Sequence, residues 1–188
     1  MIYEQTVSTK MRVLVENLKT IENWSILNDS LKKDIISCGD KHNRKTNAKS
    51  YMTDWMMASK FKSFNNLLKI IVNKELKKIF NITTTENKKL DIICTDMWGL
   101  IYKKNDNCLL HNHFGSNFSF TYYVESNENC SPLIFEEPGY LKIQPETGML
   151  CIFDSNYTHY VPKMESDETR IVISGNLSIK LSENKTYL

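Results

Sequence analysis

The spacing of apolar residues changes character near residue 90. Before it, Leu14, Leu18 and Ile21, then Leu27, Leu31 and Ile35, recur at three- and four-residue intervals. That period lines one face of a helix, so it predicts one or two amphipathic helices, ended by Cys38-Gly39-Asp40. The polar, basic run Lys41 to Ser50 reads as a loop. The clearest helix follows, because Phe61, Phe64, Leu68, Ile71 and Leu76 share one face while Lys62, Asn65, Lys69 and Lys74 fall away from it. Its apolar stripe is expected to cover a sheet. From Leu90 onward the candidates are short strands: LDIICTDMWGLIY, FSFTYYVE, PLIFEE, YLKIQ, GMLCIFD, HYVP and TRIVISGNLSI, bounded by Asn, Gly, Pro and Ser clusters. Seven such runs with no helical pattern between them predict a sandwich, jelly roll or barrel rather than βαβ units. The expected organisation is one domain over 1–188, with a helical part at 1–89 packed on one sheet of a β core at 90–180.

Composition narrows this picture only at its edges. A chain of 188 residues with 41% hydrophobic content can bury one sizeable core but is short for two. The 24 basic and 22 acidic residues nearly cancel, so no global field draws in nucleic acid or an anionic membrane. The five cysteines are widely spaced with no C-x-x-C pair, which argues against a disulfide framework or a zinc ribbon and for a reducing, cytoplasmic setting. The start, MIYEQTVSTKMRVLVENLK, is too polar for a secretory signal, and no apolar run approaches the roughly 20 residues of a membrane helix, so a soluble protein is expected.

Candidate chemistry lies in the β-rich half. In His111-Asn112-His113, an extended backbone would turn both imidazoles to one face. His159 opens a strand 48 residues on, and in a barrel it could join them at one mouth, leaving a metal with open positions. Arg170 follows 11 residues later at the start of another strand. A guanidinium facing into a barrel implies a carboxylate guest, since burying it without one is costly. Tyr123 and Tyr102 are candidate hydroxyl donors to the same carboxylate. Other features have plainer readings. His42 reads as a loop residue, Tyr122 as a strand aromatic facing away from Tyr123, and Cys94, Cys108 and Cys151 as buried fillers. Trp55, Met56 and Met57 read as core packing rather than a lid, Asp154 as a turn residue, and Arg170 taken alone would read as a surface partner of Asp167 or Glu168.

These residues resemble a known family, the 2OG-Fe(II) oxygenases of bacteria and their viruses, distantly similar to prolyl hydroxylases. The resemblance runs in order through Trp98 to Tyr102 as W-x-x-x-Y, HNHFGSNFSFTYYV, PLIFEEP, IQPETGMLCIFDSNYTHYVP and ETRIVISGN, with a weaker echo in SYMTDWMM. It implies a double-stranded β-helix of the jelly-roll, cupin-like kind, using Fe(II), 2-oxoglutarate and O2. By resemblance, His111 and His159 are metal ligands, and His113 stands where the wider superfamily carries Asp or Glu. Three neutral imidazoles would leave the metal its full +2 charge. Arg170 matches the arginine that binds the cosubstrate carboxylate, and Tyr123 a tyrosine that assists it. Hydroxylation of an unactivated C–H, with release of succinate and CO2, is the implied reaction. Three other readings stay open: a three-histidine cupin-type dioxygenase that needs no 2-oxoglutarate, a non-catalytic barrel that only binds, and a zinc hydrolase. The loops Lys41 to Thr53, Asn112 to Ser119 and Glu125 to Ser131 are expected to shape the entrance, and their composition suits a peptide, an amino acid or a small metabolite equally.

Overall fold

The computed structural model describes residues 11–76 and 89–182; the first part of the polar amino-terminal stretch lies outside them. In chain order the elements are β1 (Val13–Asn17), α1 (Trp24–Ser37), β2 (Ala48–Lys49), β3 (Tyr51–Met52), α2 (Met57–Lys60) and α3 (Lys62–Ile70). Then come β4 (Lys89–Tyr102), β5 (Asn107–His111), β6 (Phe118–Glu125), β7 (Leu133–Glu137) and β8 (Leu141–Ile143), followed by β9 (Met149–Asp154), β10 (Thr158–Val161) and β11 (Arg170–Ser182). Two antiparallel sheets form, in the orders β1-β9-β6-β11-β4-β3 and β2-β5-β10-β7-β8. This is a jelly roll with helices on the larger sheet, as the pattern predicted.

Alternation along the strands separates two cores. In β6, Phe120, Tyr122 and Val124 turn outward to the helices, as do Ile171 and Ile173 of β11, where they meet Leu31, Ile35, Phe64 and Leu67. Their neighbours Tyr123 and Val172, with Trp98, Leu100 and Tyr102 of β4, turn inward against the smaller sheet. The stripe of α3 thus covers a sheet as expected, and it continues through a π-helical turn at Ile71–Glu75. The carboxyl end of α1 is set by Gly39, whose φ of 71° is a conformation that L side chains rarely adopt. Close approach of α1 to the sheet requires Gly99, because a Cβ there would come within 2.6 Å of Ile35 Cγ1.

Two sequence expectations are corrected. The three- and four-residue spacing of Leu14, Leu18 and Ile21 does not mark a helix: residues 13–17 form β1, paired with β9 from Val13↔Phe153 to Asn17↔Met149, and Leu18–Thr20 make a 3₁₀ turn. Val13 packs in the inner core and Leu14 in the outer, the two-face alternation of a strand. The 1–89 part is therefore not simply helical, since it supplies β1 and β3 to one sheet and β2 to the other. No helix among the described residues is long and apolar enough to cross a membrane.

Candidate metal centre and carboxylate pocket

His111 ends β5 and His159 lies in β10, and the ladder pairs them directly across neighbouring strands. His113 lies two residues beyond the end of β5, so no ladder positions it; its N–H donates instead to the Ser155 carbonyl at 2.8 Å. One ligand nitrogen from each ring lies within 4.8 Å of the others, a set that can hold one metal ion. Nδ1 of His111 lies 2.7 Å from the Leu109 carbonyl and Nδ1 of His159 lies 2.9 Å from that of Tyr157. A carbonyl oxygen only accepts, so both rings carry their proton on Nδ1 and present the Nε2 lone pair. Burial, reinforced by the neighbouring imidazoles, pushes His159 down to about 3 and His113 to about 4. His111 is also lowered by burial. All three are neutral near pH 7, the state in which imidazole binds metal.

Arg170, the first residue of β11, is 1% exposed and pairs with Tyr102 of β4. Its guanidinium carbon sits 4.7 Å from the Tyr102 ring centroid and 5.2 Å from that of Tyr123. The surface ion pair with Asp167 is excluded: Asp167 takes Lys104 at 3.0 Å, and Arg170 is inside. Arg170 Nε and Nη1 have no hydrogen-bond partner, and neither does the Tyr123 hydroxyl. Burial raises both tyrosine hydroxyls, so they remain protonated donors. The adjacent thiols supply no negative charge, because burial pushes Cys108 up to about 11 and Cys151 up to about 12. Unfilled donors around a buried cation fit a carboxylate guest, since an uncompensated buried charge costs several kcal/mol.

One cavity of about 110 Å³ joins the two features, its lining including both the three imidazoles and Arg170. Trp98, Leu100, Phe153 and Val172 give it apolar walls. Trp55 belongs to this wall rather than to the core: it is 38% exposed and meets Trp98 edge-on with centroids 4.7 Å apart. Met57 is core, as expected, while Met56 is exposed. Cys108 is more than a filler, lining the cavity 3.8 Å from His111 Nδ1. The basic loop contributes Thr46 and Ala48, and 112–119 contributes His113, but residues 125–131 line none of the cavity. His42 lies against Trp55 and outside the imidazole set, and Asp154 is the last residue of β9, its carboxylate accepting from the Asn156 amides of the turn that follows. Tyr122 faces away, into the helical layer.

Comparison with known proteins bears on what such a cavity serves. The structure is similar to a prolyl-4-hydroxylase from Pseudomonas putida, with a TM-score of 0.64 and 12% identity over 89% of this chain and 92% of that one. It is similar to the viral collagen prolyl hydroxylase of Paramecium Bursaria Chlorella virus-1 in its 2OG complex, with a TM-score of 0.58 and 15% identity over 88% and 94% of the two chains. The fold is that of the 2OG-Fe(II) oxygenases. Residues 135–176, which include His159 and Arg170, match the family described as "Putative 2OG-Fe(II) oxygenase". A third oxygenase, HygX from Streptomyces hygroscopicus with nickel and 2-oxoglutarate bound, aligns with a TM-score of 0.64 and 8% identity over 89% of this chain and 83% of its own. No curated protein sequence matches the chain. Oxygenases of this family use Fe(II), 2-oxoglutarate and O2, and the three imidazoles beside an unfilled guanidinium are a donor set suited to the first two.

Proposed function

We propose that this chain acts as a single cytoplasmic oxygenase domain that hydroxylates an unactivated C–H of a peptide, amino acid or small metabolite, with 2-oxoglutarate converted to succinate and CO2. One observation carries the reading. Arg170 is buried with two donor groups unfilled, in the same cavity as three imidazoles that present lone pairs.

His111, His113 and His159 hold Fe(II) in this reading, and their neutral state leaves the ion its full +2 charge. When bound, Fe(II) with 2-oxoglutarate and O2 supplies the oxidising power. Arg170 binds the distal carboxylate of the cosubstrate through its planar fork, and the protonated Tyr123 hydroxyl adds a third donor. Tyr102 supports the guanidinium with its ring, and its hydroxyl is a further candidate donor to the same guest. Val172, Leu100 and Phe153 keep water from the space between. Trp98 and Trp55 form the wall nearest His113 and orient the substrate there.

The test is stoichiometry. The protein, supplied with Fe(II), 2-oxoglutarate and O2, is screened against peptides and metabolites for succinate release matched to substrate oxidation. Oxidation independent of 2-oxoglutarate would replace this proposal with a three-histidine dioxygenase. Metal binding without oxygen uptake across the panel would replace it with a binding module.

A further inference from the structure

His113 is the only one of the three imidazoles outside a strand, so something other than a ladder must hold it. Its N–H donates to Ser155 O at 2.8 Å, and Ser155 N donates to Asn117 O at 3.3 Å. Ser155 belongs to the turn between β9 and β10, just ahead of His159. The two arms that carry imidazoles are thus clasped to one another through the Ser155 backbone.

The side chain of Ser155 is fully buried and enters a directed chain of hydrogen bonds. Asn176 Nδ2 lies 2.7 Å from Asp96 Oδ1, and a carboxylate only accepts, so the amide must aim its oxygen the other way. That oxygen accepts from Ser119 Oγ at 2.8 Å, which leaves Ser119 to accept from Ser155 Oγ at 2.9 Å. The chain therefore runs from Ser155 through Ser119 and Asn176 to Asp96, each link donating to the next. It crosses β6, β11 and β4 at one level, because Asn176 pairs with Ser119 on one side and Asp96 on the other. An irregularity follows at once, since Leu177 pairs with Cys94 and Thr95 has no opposite residue. Such a bulge re-aims the side chains beside it. Gly175 keeps the strands close at this level, as a Cβ there would meet Phe120 and the Asp96 carbonyl within 2.8 Å.

We propose that Ser155, Ser119, Asn176 and Asp96 are positioning residues that set His113 in place for the metal. The inference rests on the three-imidazole centre of the proposed function. It assigns to this polar chain across β6, β11 and β4 the role that a strand ladder plays for His111 and His159.

The test is Co(II) titration followed by visible absorption, alongside hydrogen exchange of the His113 amide in metal-free protein. Asn176→Ala and Ser155→Ala are expected to weaken Co(II) binding about tenfold or more, the usual cost of losing an outer partner of a metal ligand. Both should also speed exchange at His113. Asp96→Asn keeps the acceptor and should behave as wild type. Asn28→Ala is the control for buried-polar loss: Asn28 donates to Val124 O and accepts from Tyr122 under the helices, so it should lower thermal stability and leave Co(II) affinity unchanged. If Asn176→Ala fails to fold, Asp96→Ala, at a partly exposed position, carries the same expectation. Wild-type Co(II) spectra and exchange rates in the alanine variants would overturn the positioning role while leaving the metal centre standing. Absence of Co(II) binding by folded wild type would overturn both.

Discussion

Tyr122 and Tyr123 are adjacent in one strand and equally buried, at 1% and 0% exposure, yet they live in different chemical worlds. Tyr122 faces the helices. Its hydroxyl accepts from Trp24 Nε1 at 2.8 Å and donates to Asn28 Oδ1 at 2.9 Å, so every polar group there is answered. Tyr123 faces the smaller sheet, where its hydroxyl and two nitrogens of Arg170 have no partner. A protein seldom leaves buried donors unmet, and two of these belong to Arg170, which lines the cavity. The outer face of the sheet is finished by folding; in the proposed function, the inner face is finished by a ligand.

The contrast can be broken most forcefully at Arg170. Arg170→Met is expected to lower 2-oxoglutarate affinity at least about thirtyfold by calorimetry, because truncating one side of a buried charge pair costs about 2–5 kcal/mol or more. The same variant should leave the metal-free protein as stable or more stable by denaturant unfolding, since it removes an uncompensated buried cation. Loss of stability with unchanged affinity would make Arg170 a structural residue and erase the distinction between the faces.

A pH titration of metal-free protein should give the next largest effect. The folded-state values of His159 and His113 lie well below 6.5, so between about pH 6.5 and 4 the unfolded chain takes up protons that the folded chain refuses. Stability is therefore full above 6.5 and falls as pH drops, by up to about 1.4 kcal/mol per pH unit for each group. The interval from pH 6.5 to 5 is diagnostic, being above the carboxylate range. A flat profile there, or one unchanged by His159→Ala, would contradict the neutral triad.

The tyrosines sharpen the comparison with smaller effects of opposite kind. Tyr122→Phe should cost about 1–3 kcal/mol of stability by leaving Trp24 and Asn28 unanswered, with 2-oxoglutarate affinity intact. Tyr123→Phe should cost little stability and weaken 2-oxoglutarate about tenfold, measured in the same two assays. Exchanged outcomes would mean that the finished and unfinished faces have been misassigned.

Much of this arrangement was legible in the sequence, for a reason the two tyrosines illustrate. Alternation in FSFTYYVE and TRIVISGNLSI separates outward from inward residues without reference to anything distant, and the seven runs it marks are all strands. The elements that escaped had weak or misleading local signals. β1 is a half-exposed edge strand whose leucines happen to sit at helical spacing, and β2 and β3 are two residues each. β5 carries two exposed leucines in succession beside an irregular register with β10, which hides its alternation. At the site, the expectation that extended backbone would align His111 and His113 fails in detail, because β5 stops at His111. What brings His113 in is a hydrogen bond to Ser155, 42 residues away, and no local pattern announces such a partner. Trp55 was hidden for a similar reason, since its place on the cavity wall depends on contact with Trp98 from a distant strand.

The most direct test of the three-imidazole centre with its carboxylate pocket is anaerobic addition of 2-oxoglutarate to the Fe(II)-loaded protein, followed by visible absorption. The account predicts a weak charge-transfer band that saturates at one equivalent in wild type and is absent from His159→Ala and, at the same cosubstrate concentration, from Arg170→Ala. Folded wild type that shows no band, or a band of undiminished affinity in Arg170→Ala, would contradict it.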